Sequence, residues 1–309
     1  MEHVWIALAV MAAAMQAVRT AAQKTLNQRM TTLGTTYVRS IFGLPVMIAH
    51  LVAVIAWSGG GWPPMKPWFL IDTFLGAATQ VLATMLLIRM MRLKDFAVGT
   101  MLTKVDIVMT ALLGMALFSE KVSAIGFLAL LIVLAGVVLM SLGKTGLKGL
   151  PSGPGGIATA LTSEATRVAL GCAFLFTLSY LFLREATLVI AGDGGIAWRG
   201  AWTVVIATGM QVVFVGLWLA AREPSTFQQI RPNLALSSFI GLTSAIGSIG
   251  WFTAFAMQNA SYVRAVGQIE VVFTLMISAL YFREMVRPLE YAGIAATVAG
   301  VLMFRLWGV

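Results

Sequence analysis

Asp106 and Glu270 each sit inside a long apolar stretch, and they lie 164 positions apart. A charge at the centre of a membrane helix costs about 2.5–3.5 kcal/mol on insertion scales, so each acid needs a cation, a water-filled cavity or a proton. On one reading the two acids line a central cavity that binds a cationic group or carries protons. On the other they are structural ion pairs, Asp106 with Arg19 or Arg39 and Glu270 with Arg184 or Arg199. Lys104 is only two residues from Asp106, so on a helix the two point to different sides and do not pair. The same offset of 164 carries Lys104 onto Gln268. One stretch therefore offers an ammonium where the other offers an amide. That asymmetry suits a polar, non-symmetric ligand, unless Lys104 snorkels or pairs structurally.

Arg39 and Arg199 have the geometry to hold a carboxylate or phosphate through two parallel hydrogen bonds. Snorkelling from a helix end to lipid headgroups is the equally economical alternative. Tyr180, Trp198, Trp202, Trp251 and Tyr262 can wall a cavity and face a bound cation, or belong to the aromatic belts at the membrane surface. No catalytic residue is expected. The histidines are His3 and His50, far apart, and neither joins a cluster with metal-ligand spacing. Phosphate loops and serine-nucleophile motifs are absent too. No metal and no cofactor are expected.

These residues need elements that hold them in a bilayer. Of 309 residues, 59% are hydrophobic and 11% charged, with a mean hydropathy of +0.90. A soluble domain cannot bury that much apolar surface, so the class is an all-α integral membrane protein. The net charge of +9 fits cytoplasmic loops and anionic headgroups rather than nucleic acid. The single cysteine, Cys172, excludes an internal disulfide and reads as a buried structural thiol. The first apolar run lacks a basic leader, so it is expected as a retained helix and not a signal peptide. A span needs about twenty apolar residues. Ten are expected, at Val4–Ala22, Tyr37–Trp57, Trp68–Met90, Phe96–Phe118, Ala124–Leu142, Val168–Ile190, Ala197–Ala220, Leu234–Met257, Ser261–Phe282 and Leu289–Trp307.

The chain repeats itself. At the offset of 164, Val108/Val272, Thr110/Thr274, Phe118/Phe282, Glu120/Glu284 and the Ala-Gly-Val of 135–137 and 299–301 are identical. Arg39 and Arg199 each open the second helix of a half, and Arg19 and Arg184 fall late in the first. The expected organisation is a five-helix repeat over 1–142, a Gly/Pro-rich linker over 143–166 and a second five-helix repeat over 167–309. Five is odd, so the copies cross the membrane in opposite senses. Ten transmembrane helices as an inverted 5+5 repeat are typical of secondary transporters, which hold substrate near the midplane between repeats. Glu120 and Glu284, at helix ends beside short loops, are expected to cap or to fix the loop by a salt bridge.

On these features the chain resembles the drug/metabolite transporter superfamily, specifically its ten-helix EamA-type members. The resemblance rests on the 5+5 repeat, on Arg39 and Arg199, and on a fourth helix ending in Phe-x-Glu before a fifth with Ala-Gly-Val. It departs from the pattern at Val108 and Val272, where family members carry proline, and at Ala13–Ala17, where a tryptophan is usual. The resemblance implies a multi-pass protein of the cell inner (plasma) membrane that moves a small polar metabolite, an amino acid, amine or similar molecule, by alternating access with proton coupling or exchange. A broad organic-cation exporter is the alternative, and a membrane enzyme or lipid-handling protein ranks behind it. Expected partners are a small-molecule substrate and the bilayer, with the protein working as a monomer. Family members keep both termini in the cytoplasm. The basic residues at one side of the spans would instead put both termini outside.

Overall fold

The computed structural model describes residues 3–91, 102–145, 164–190, 192–281 and 287–307. Twelve α-helices run through them. α1 is Val4–Leu26, α2 Thr32–Ser58, α3 Pro67–Met91, α4 Asp106–Leu117, α5 Ala124–Thr145 and α6 Glu164–Val189. α7 is Gly195–Arg222, α8 Ser225–Ile230, α9 Leu234–Met257, α10 Ala260–Gly267, α11 Ile269–Tyr281 and α12 Pro288–Leu306. Among the described residues, nine helical segments are long and apolar enough to cross a membrane, and Asp106–Leu117 is a shorter apolar one. The protein is therefore an all-α, multi-pass membrane protein. Val52, Val213, Leu217 and Leu280 point away from the protein. In water such faces would invite association; in lipid they are the surface required. The Pro-Ser-Gly-Pro-Gly-Gly run of the expected linker, Arg92, Lys94 and the Phe282-Arg283-Glu284 pattern lie outside the described residues.

The chain forms two compact units, and each draws on both halves of the sequence. One comprises His3–Ala78 and Phe182–Gln258, the other Thr79–Leu181 and Asn259–Val309. In the first unit α9 packs on α1, α2 and α7, and α2 packs on α7. Small residues permit the close crossings. A Cβ on Gly43 of α2 would stand 3.1 Å from the Gly241 carbonyl of α9, and one on Gly250 would stand 3.0 Å from the Leu8 carbonyl of α1. In α2, the Thr31 hydroxyl caps by accepting from the Gly34 N–H at 3.2 Å. Gly59 ends that helix at a left-handed φ of 67°, which glycine adopts without a Cβ clash.

In the second unit α5 packs along α12, and this contact explains the repeated Ala-Gly-Val. Gly136 of α5 meets Gly293 and Thr297 of α12, while Gly300 of α12 meets Ala129 and Val133 of α5. Each of these residues maps onto its counterpart at the offset of 164. The interface is self-complementary in the way a two-fold-related pair of identical helices would be. That is the local signature of an inverted repeat.

Two expected spans differ from expectation at corresponding points. The ninth is not one helix: α10 ends at Gly267, Gln268 is a turn residue, and α11 restarts at Ile269. In the fourth, Leu102 and Thr103 are helical, Lys104 and Val105 form a turn, and α4 starts at Asp106. The interruptions fall at Lys104 and Gln268, which are repeat mates, and neither contains proline. Asp106 is therefore not at the middle of a continuous helix, as its distance from the ends of the expected span implied. It is the first residue of a helix, and Glu270 is in the first turn of another.

Candidate functional site

The helix breaks set the chemistry of the second unit. An α-helix presents a partial positive charge and unpaired N–H groups at its N-terminus, so a carboxylate there is favoured. Asp106 and Glu270 occupy that place in α4 and α11. Asp106 is 3% exposed and Arg264, near the end of α10, is 7% exposed. The Arg264 guanidinium donates to Oδ2 of Asp106 at 3.1 Å. Its carbon also stands 4.2 Å from the centre of the Tyr180 ring, a cation–π contact from α6. Phe176, one turn away, stacks on Tyr180 at 5.8 Å. The Asp106 backbone carbonyl accepts from the Thr110 hydroxyl at 2.6 Å and the Thr177 hydroxyl at 3.2 Å.

Two acceptors in this cluster remain unfilled. Oδ1 of Asp106 and Oε1 of Gln268 are buried and have no hydrogen-bond donor among the described residues. Gln268, 2% exposed, spends its amide N–H on the Arg264 carbonyl at a long 3.5 Å. Glu270 is half-buried and within electrostatic reach of Arg264 and Tyr180. Lys104 is half-buried in the other break.

A second contact anchors the start of α10. Oε1 of Glu120 accepts from the Ala260 N–H at 2.8 Å, and Oε2 lies 3.4 Å from the Ser261 hydroxyl. Beside it the Ser123 N–H donates to the Tyr262 hydroxyl at 2.9 Å, and the Asn259 amide donates to the Lys121 carbonyl at 2.8 Å. Glu120 thus caps a helix from across the unit, which agrees with the capping role expected for it; its mate Glu284 lies outside the described residues.

The remaining candidates belong to the first unit. Arg39 is in α2 and Arg199 and Trp202 in α7, with Trp251 in α9 stacked on Phe255 at 6.2 Å. Arg39 and Arg19 are within electrostatic reach of each other, two cations rather than a pair of opposite sign. Arg184 donates its Nε–H to the Gln258 carbonyl at 3.0 Å, a cation on the C-terminal end of α9. The structure therefore groups Asp106, Tyr180 and Gln268 in one unit around Arg264, and keeps Arg39, Arg199, Trp202 and Trp251 in the other.

The ion-pair partner of Asp106 is neither Arg19 nor Arg39 but Arg264, which the sequence reading passed over. Placed four residues into a continuous span, Arg264 looks like a snorkelling interfacial cation. Gly267 beside the break, and the four-residue spacing from Arg264 to Gln268, were the available signals. Thr177 was missed for lack of any. Among the described residues no three His, Cys, Asp or Glu side chains come together to hold a metal ion.

Fold and site define an all-α, multi-pass membrane protein with two interrupted spans. Residues 3–142 match the EamA-like transporter family, which supports the resemblance to drug/metabolite transporters over that part of the chain. No curated protein matches the chain. A protein crystal structure aligns with 99% of this chain and 96% of its own, at a TM-score of 0.70 and 15% identity. That likeness shows a shared fold over the full length.

Proposed function

We propose that the protein is a secondary transporter that moves a small polar molecule bearing a protonated amine, an amino acid, an amine or a similar metabolite, by alternating access. The observation that carries this reading is the Asp106–Arg264 pair at a helix break repeated in both halves. Interrupted helices whose ends face a ligand are how secondary transporters build a site at membrane depth. Arg264 fills one oxygen of Asp106, and Oδ1 is left for a ligand ammonium or a proton, with Oε1 of Gln268 as a second acceptor. Glu270 is the second acid in the scheme and Lys104 the counter-charge. The acids provide for proton coupling or exchange. The working unit is a monomer in the cell inner (plasma) membrane.

Broad export of organic cations is less well supported. The face of Tyr180 is already taken by Arg264, and a quaternary cation has no N–H to offer the two unfilled acceptors.

A ligand panel of amino acids and amines, read by thermal shift on purified wild type, Asp106→Asn and Glu270→Gln, tests the reading. A ligand that binds only folded protein, at 100 times its Kd, adds about 2.7 kcal/mol. An amine-bearing ligand should stabilise wild type and lose that effect in Asp106→Asn. Counterflow of the same ligand in proteoliposomes should recover it chemically unchanged. A full shift in both variants makes the acids structural, and conversion to a new species makes the protein an enzyme.

A further inference from the structure

We infer that α7 carries a separate binding site for a carboxylate, formed by Arg199 and Trp202. The two are three residues apart on one helix, so they share a face. Among the described residues the Arg199 side chain makes no hydrogen bond or ion pair, and its Nε is buried. Trp202 is 2% exposed, and its Nε1 likewise has no acceptor. Its neighbour Trp198 shows that this frame can satisfy an indole, since its Nε1–H donates to the Gly61 carbonyl at 3.1 Å.

Both orphan groups are pure donors. Buried donors left unfilled cost free energy that an acceptor recovers, and a cation on the same helix face as an indole N–H, three residues away, favours an acceptor that is also an anion. One guanidinium matches a single negative charge on two oxygens, the geometry of a carboxylate. A phosphate dianion would ask for a second cation. Arg184 is the nearby arginine in sequence, and it is engaged with the Gln258 carbonyl. Trp62 rests edge-on against Trp202 at 4.6 Å and is itself 77% exposed, so it is the group that must shift to admit a ligand.

The inference rests on the transporter reading for its biological sense. Its test reads binding alone, so the two can fail separately. Alanine, propionate and ethylamine, and phenylalanine, 3-phenylpropionate and phenethylamine, are titrated into full-length protein and followed by thermal shift against sodium chloride of equal ionic strength. Carboxylate-bearing members should bind wild type. Arg199→Gln should weaken them by about tenfold or more, and Trp202→Phe, which keeps the ring and removes the donor, should weaken them severalfold. Ethylamine and phenethylamine should be unaffected by either change. Should Arg199→Gln fail to fold, Trp202→Phe and Arg199→Lys carry the comparison.

Four results overturn the inference. No carboxylate stabilises wild type beyond chloride; the variants bind carboxylates as wild type does; or acids and amines weaken together. An Arg199-dependent shift produced by phosphatidylglycerol but by no carboxylate also overturns it, and assigns the donors to a lipid headgroup.

Discussion

Arg264 holds Asp106 across 3.1 Å, tying the last turn of α10 to the first residue of α4. Both side chains are buried, and the arginine is additionally braced by the Tyr180 ring at 4.2 Å. The contact therefore connects two helix breaks that occupy the same place in the two repeats. It links position, charge and chain interruption in a single interaction, so whatever alters the charge on Asp106 also acts on the geometry of both breaks.

That coupling is measurable. Breaking a buried pair by removing one partner costs about 3–5 kcal/mol because the other charge is left uncompensated. Asp106→Asn and Arg264→Gln should each lower stability by an amount in that range in denaturant titrations, and the double variant should lose clearly less than the sum. Additive losses would mean that the two side chains do not interact energetically.

The ten-helix pattern and the membrane class were legible because they depend on apolar length, which a bilayer makes strict. A cap at Glu120 was legible from its place beside a short loop, but that it caps the start of α10 was not. The break at Gln268 was harder, since no proline marks it. A glycine costs a helix only about 0.8–1.0 kcal/mol relative to alanine, and tertiary contacts decide whether a span yields there. The partner of Asp106 was hidden for the same reason: a continuous helix and an interrupted one place Arg264 differently. The repeats were visible as sequence, but packing shares their helices between two units, which no single-helix pattern encodes.

Glu120 should act through α10. Its carboxylate accepts from the Ala260 N–H at 2.8 Å at the positive end of that helix. Loss of a cap costs about 0.5–2 kcal/mol, so Glu120→Ala should destabilise by about that amount, and Glu120→Gln by less because one acceptor oxygen remains. Hydrogen exchange at Ala260 and Ser261 should accelerate in both variants. Unchanged exchange there would remove Glu120 from the cap.

Cys172 is fully buried, and its thiol donates to the Ala83 carbonyl at 3.3 Å. A maleimide should leave the native protein in detergent unlabelled and label it after denaturation. Rapid labelling without loss of structure would place the thiol on a water-accessible path.

The self-complementary contact of α5 and α12 makes the sharpest stability prediction. A Cβ on Gly136 would lie 2.6 Å from the Thr297 backbone nitrogen and 2.7 Å from the Gly293 carbonyl oxygen, and backbone atoms cannot rotate away. On Gly300 the backbone atoms of Ala129 and Val133 stand at 3.1 Å, so the counterpart site has more slack. Overpacking costs about 1–3 kcal/mol, and Gly136→Ala should fall toward the upper part of that range with Gly300→Ala below it. Gly209 of α7 has no atom within 4 Å of its built Cβ, and there alanine should stabilise by up to about 1 kcal/mol through helix propensity alone. Thermal unfolding of the three variants in one detergent gives the ranking. If Gly136→Ala unfolds no earlier than Gly209→Ala, the two repeats are not joined through this glycine, and the repeated Ala-Gly-Val needs another cause.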